Sequence, residues 1–150
     1  MVKFIKNWSN LIIDVCCYLF ILLFVYAAVS KILDYEQFRV QLGQSPMLSA
    51  YAGTIALLVP MVELLIAILL MLPRLQFTGL LASFNLMVMF TGYIIIILNF
   101  TDFIPCSCGG VLEKLGWTEH LIFNIFFVIL AALGLFTVNK KNVLVNKIRS

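Results

Sequence analysis

Two thiols one residue apart, Cys106 and Cys108, stand in the stretch Pro105-Cys106-Ser107-Cys108-Gly109-Gly110. This stretch is short and polar, in a chain that is otherwise almost wholly apolar. Such a pair can close one disulfide or clamp one soft metal ion. The Cys-Ser-Cys ring is very small, and strained, exposed disulfides are the labile, oxidising kind. A structural staple gains little at this spacing, because its entropic benefit grows with loop length. Gly109 and Gly110 permit positive φ and keep the sulfurs accessible. If Val111 opens a helical turn, its N-terminus favours a thiolate at Cys108. The leading chemistry is therefore a redox-active dithiol, with Cys106 and Cys108 as catalytic residues. A metal-ligand pair and inert loop cysteines are the alternatives.

Few other side chains can carry chemistry, since the chain has one His and four Cys. Cys16 and Cys17 are adjacent and sit within an apolar run, where small residues pack against other helices. From Cys17 to Val29 is twelve residues, a rise of roughly 18 Å along a helix. Direct exchange with Cys106 and Cys108 is then implausible without a carrier. Glu63 is a carboxyl inside a second apolar run, and such groups are costly and face a bundle interior. Counting residues inward puts Asn85 of the third run at a similar depth, so a Glu63–Asn85 hydrogen bond is expected. Proton handling at Glu63 and plain polar glue are both open. Near the opposite ends, Tyr26, Lys31, Tyr93, Asn99, His120 and Asn124 fall at comparable height to the thiols. They outline a polar pocket for a quinone head group or a thiolate, with Tyr26, Tyr93 and Asn124 as cofactor-binding candidates. His120 titrates near neutrality and can exchange protons. Lys31, Glu63, Asn85 and His120 are the supporting residues of this reading.

The elements that must position these groups follow from composition. The 150-residue chain is 63% hydrophobic and 11% charged, with mean hydropathy +1.10. Soluble domains run at roughly 45–50% apolar and about 25% charged. Lipid is the natural solvent for such a chain, and its length suits one domain, residues 1–150. Four apolar runs, about 11–30, 50–72, 77–98 and 120–138, approach the roughly 20 residues that span a bilayer. The first, with Lys3 and Lys6 before it and Ala28-Val29-Ser30 after it, also resembles a signal peptide. It is long for that role, about 7–15 residues being usual, so retention as a first span is expected. Between the first two runs, Tyr35, Phe38 and Leu42 share one helical face, as in a short helix lying in the interface. Gly43 and Pro46 are expected to end it. Thr118 is the expected N-cap of the last helix.

Four spans place both termini on one side. With the termini inside, the inner segments hold Lys3, Lys6, Arg74, Lys140, Lys141, Lys147 and Arg149, and the outer ones Lys31, Arg39 and Lys114. That imbalance follows the positive-inside rule. The basic residues are thus topology signals and not a nucleic-acid footprint. The thiol pair then faces the oxidising side, where disulfides persist. The expected fold is all-α: an integral four-helix bundle with an interfacial helix after helix one and a Cys-containing outer loop before helix four.

Three stretches carry a family resemblance. Ala28-Val29-Ser30-Lys31-Ile32-Leu33-Asp34-Tyr35-Glu36-Gln37-Phe38 resembles the end of helix one in the DoxX-like membrane proteins. Pro60-Met61-Val62-Glu63-Leu64-Leu65 resembles their second helix. Pro105 to Gly110 is similar to the outer loop of their MauE branch, the methylamine-utilisation membrane proteins. The resemblance covers nearly all four spans. It implies a four-helix bundle of the bacterial inner membrane and a role in maturing periplasmic proteins. For the MauE branch that role is disulfide formation in the small subunit of methylamine dehydrogenase, and the wider group makes quinone coupling conceivable. Lys31, Glu63, Cys106 and Cys108 are the positions it marks.

Together these readings point to a membrane thiol–disulfide redox component. Cys106 and Cys108 would exchange with a periplasmic thioredoxin-like partner or a cysteine-bearing client, and a quinone would lie near Tyr26, Lys31, Tyr93 and Asn124. The rivals are a non-enzymatic assembly scaffold and a soft-metal protein using Cys106, Cys108 and His120.

Overall fold

The computed structural model describes residues 2–45, 48–100 and 116–149. Those residues form five α-helices and one short 3-10 turn. The helices are α1 (Val2–Leu33), α2 (Tyr35–Gln44), α3 (Ala52–Met71), α4 (Gln76–Phe100) and α5 (Trp117–Arg149), with the 3-10 turn at Ser49–Tyr51 before α3. Four of them are long and apolar enough to cross a membrane: Trp8–Leu33, Ser49–Met71, Gln76–Phe100 and Thr118–Lys141. The chain is a multi-pass membrane protein. Both α1 and α5 outrun their apolar segments, because Lys and Asn residues are compatible with helix once the chain has left the lipid.

Each long helix buries one narrow stripe and leaves large apolar residues exposed on its other faces, as lipid requires. On α1 the stripe is Ile13, Cys17, Phe20, Phe24 and Ala28; on α3 it is Ala52, Ala56, Val59, Glu63, Ile66 and Leu70. These spacings of three and four residues are one face of an α-helix. On α5 the stripe runs through Asn124, Phe127, Ala131 and Val138. The helices form a square in which α1 packs on α3 and α5, α4 packs on α3 and α5, and α3 and α5 stand diagonally. Ring contacts at the centre set the register. Phe20 meets Phe127 edge to face at 5.3 Å and stacks on Phe24 at 5.6 Å. Farther along, the Cys16 thiol faces the Leu130 carbonyl at 3.9 Å. The two helices are therefore antiparallel, and His120 and Asn124 lie toward the C-terminal end of α1.

Small residues let the backbones approach, as membrane interfaces favour. A Cβ added at Gly79 would stand 2.8 Å from Leu70 Cδ2 and 3.1 Å from the Leu70 backbone nitrogen. Gly79→Val is expected to destabilise the bundle by about 1–3 kcal/mol through overpacking. Gly92→Val, with nothing within 4 Å of its added Cβ, is the control in detergent unfolding.

A short helix follows helix one as α2, and Phe38 and Leu42 are buried on the first half of α3 against Ala52, Ala56 and Val59. Its third anchor, Tyr35, donates its hydroxyl hydrogen to the Gly53 carbonyl at 3.4 Å. Two boundaries differ from expectation. Gly43 lies inside α2, which ends at Gln44 with Ser45 as its cap; Pro46 is outside the described residues. Thr118 lies inside α5, since the His120 N–H already bonds the Gly116 carbonyl at 3.0 Å. Gly116 thus takes the capping place, and Glu119 sits in the first turn, where its charge suits the helix dipole.

Candidate functional site

Lys31 ties three elements together at the α2 end of the bundle. Its ammonium donates to Glu63 Oε1 at 2.8 Å, joining α1 to α3. It also reaches the Ala27 carbonyl at 3.4 Å. The same nitrogen lies 5.8 Å from the centre of the Phe38 ring of α2, within cation–π range. The Lys31 side chain is 15% exposed and that of Glu63 only 1%. A carboxylate sealed in a bundle needs a cation or donors to hold its charge, and Lys31 is that cation.

The sequence pointed to the wrong partner for Glu63. The expected Glu63–Asn85 bond does not form, because Asn85 lies off the buried stripe of α4. It is exposed and donates to its own helix, to the Leu81 carbonyl, at 2.7 Å. Equal depth along two helices is not enough; both residues must also point inward. Lys31 meets that condition, being in step with Phe24 and Ala28 on the face of α1 that packs on α3. Asn99 behaves like Asn85, bonding the Ile95 carbonyl at 2.8 Å from an exposed position. Both are the local back-bonds typical of Asn within a helix.

Of the pocket candidates, Asn124 is buried at 4% exposure, whereas Tyr26 is 45% exposed. Tyr93 and His120 are half-buried. Among the buried polar atoms without a hydrogen-bond partner among the described residues are Glu63 Oε2 and Asn124 Nδ2. One is an acceptor and the other a donor. Sequence reasoning missed this pair of complementary orphans, whose only sequence signal is a polar residue on an otherwise apolar stripe.

Cys16 and Cys17 are free thiols at 3% exposure each, packed in the main core. This agrees with their reading as packing residues. Cys106 and Cys108 lie outside the described residues, between Phe100 at the end of α4 and Gly116 before α5. No group of three or more His, Cys, Asp or Glu side chains suited to a metal occurs among the described residues.

Fold and site together define a multi-pass membrane protein of four apolar helices with a buried Lys–Glu pair at the end where α2 packs. The family model described as "Methylamine utilisation protein MauE" matches residues 9–137. The chain belongs to the MauE family. No curated protein and no solved structure matches it.

Proposed function

We propose that this chain is an inner-membrane thiol–disulfide redox component that supports disulfide formation in maturing periplasmic proteins. Methylamine dehydrogenase is its proposed client, following the family. The observation that carries this reading is the span of the family match, residues 9–137, which takes in Cys106-Ser107-Cys108. The other two cysteines are core residues, which leaves the work to this pair. Both termini lie in the cytoplasm and the pair lies beyond the outer face, by the distribution of basic residues.

In the proposed cycle the Cys106–Cys108 disulfide is attacked by a client or thioredoxin-like thiolate. A mixed disulfide forms and one sulfur of the pair leaves as thiolate. The second client thiolate then attacks, giving the client disulfide and the Cys106, Cys108 dithiol. Electrons balance, since one disulfide is exchanged for another.

The test is a redox titration of native membranes with alkylation and mass readout. Cys106 and Cys108 are expected to titrate as one two-electron couple, at a potential more oxidising than that of structural disulfides, which lie below about −300 mV. A pair that stays reduced under strong oxidant would overturn the reading.

A further inference from the structure

We propose that the end of the bundle carrying both termini binds the head groups of anionic phospholipids, through basic residues on the outlying turns of α1 and α5. This surface shares no residue with the thiol reading and does not rest on it. The two helices are paired at that end. The Cys16 thiol faces the Leu130 carbonyl at 3.9 Å, and a Cβ added at Gly134 would stand 3.6 Å from Cys16 Cβ. Cys16 is thus level with the middle of residues 130–134. Counting eight residues outward from there on each helix brings Trp8 level with Lys140. The apolar segments end at the same level, Trp8–Leu33 on α1 and Thr118–Lys141 on α5. Helix nevertheless continues beyond it, to Val2 on α1 and to Arg149 on α5.

The charge of this end has one sign. The outlying part of α5 carries Lys140, Lys141, Lys147 and Arg149, and that of α1 carries Lys3 and Lys6. Exposed Arg74 joins them from the turn between α3 and α4. That turn lies at the same end, since the Cβ added at Gly134 would also meet Leu80, near the start of α4, at 3.3 Å. Residues 1–13, 64–101 and 120–150 contain no Asp or Glu to neutralise this charge. Topology alone needs only an excess of basic residues in a loop or tail; here the excess is carried on helix that continues out of the lipid. Clusters of four to eight Lys and Arg directly beside a membrane span attract anionic head groups. The apolar residues among them favour lipid over a free anion. Val143, Leu144, Val145 and Ile148 stand between the basic residues of α5, and Val143 is 60% exposed. A segment of this composition suits head-group depth, where apolar side chains meet acyl chains and basic ones meet phosphates.

The experiment is tryptophan quenching in vesicles, for which the chain's two tryptophans are well placed. Trp8, 56% exposed, marks the basic end, and Trp117, the first residue of α5, marks the other. Trp117→Phe leaves Trp8 as the reporter, and Trp8→Phe leaves Trp117. Each full chain is reconstituted in phosphatidylcholine vesicles that contain brominated phosphatidylglycerol or, at equal mole fraction, brominated phosphatidylcholine. At low salt, half-quenching of Trp8 should need about fivefold less of the anionic lipid, roughly the worth of one basic residue at an anionic surface. The preference should shrink in about 1 M salt, where the Debye length is about 3 Å. Trp117 should show none. Lys140→Gln, Lys141→Gln, Lys147→Gln and Arg149→Gln together should remove the preference at Trp8 and leave the quenching of Trp117 unchanged, which reports an intact bundle. Equal quenching of Trp8 by the two lipids in the chain with its basic residues intact would overturn the proposal, as would a preference that survives the four changes. Loss of the preference to inorganic phosphate, beyond that caused by chloride at the same ionic strength, would assign the charges to a free anion and overturn it too.

Discussion

Replacing Lys31 by Met should cost the bundle about 3–5 kcal/mol, the penalty for stranding one member of a buried ion pair. Glu63 is 1% exposed, and its bond from Lys31 is the one polar contact it makes among the described residues. Without the ammonium, the carboxyl must either stay charged in an apolar interior or take up a proton. Lys31 also anchors α2 through the Phe38 ring, so the loss spreads to that helix. The double variant Lys31→Met, Glu63→Leu should recover most of the stability, because replacing both ions by apolar groups is often neutral or better. Unfolding of each variant in mixed micelles measures this. Equal losses in the single and double variants would mean that the pair is not coupled.

Much of this architecture is legible in the sequence, and the Lys31–Glu63 pairing is not. Length and hydropathy gave four spans, and the mixed segment around Phe38 and Leu42 gave the short helix α2. The inward face of each span was harder to read. Soluble helices advertise their buried face by contrast with a polar one, whereas here Leu57, Leu65 and Met61 are as apolar as Ile66 and yet exposed. What separates the faces is size and polarity. Ala56, Ala67, Gly79, Ser83 and Ala131 lie buried where helices touch, as expected where small residues mediate packing in lipid. On that criterion Glu63 falls on the small-residue stripe of α3 and Asn85 falls off that of α4. Depth counting alone paired them wrongly. Lys31 was singled out, but as part of a pocket near the thiols and not as the partner of Glu63. Its long stem folds back along α1, a freedom that residue numbers do not carry.

Either single change, Cys106→Ser or Cys108→Ser, should abolish disulfide transfer to a client, reducing it to background. Neither sulfur alone can hold the oxidised state, so the effect is all or none and the two losses do not add. The variants should nevertheless differ from each other. The one retaining the sulfur that meets the client can still join it covalently, but has no neighbour to resolve the bond. A mixed disulfide should then accumulate in that variant only, visible as a reductant-sensitive adduct on non-reducing gels. Cys16→Ala and Cys17→Ala should leave transfer intact, since both thiols are sealed in the core and no oxidised partner can reach them. A scaffold that merely docks partners would tolerate both serine changes and trap nothing. A soft-metal site would lose its bound metal in both variants, again without an adduct. The asymmetric covalent trap is therefore the outcome that only thiol exchange through this pair can produce.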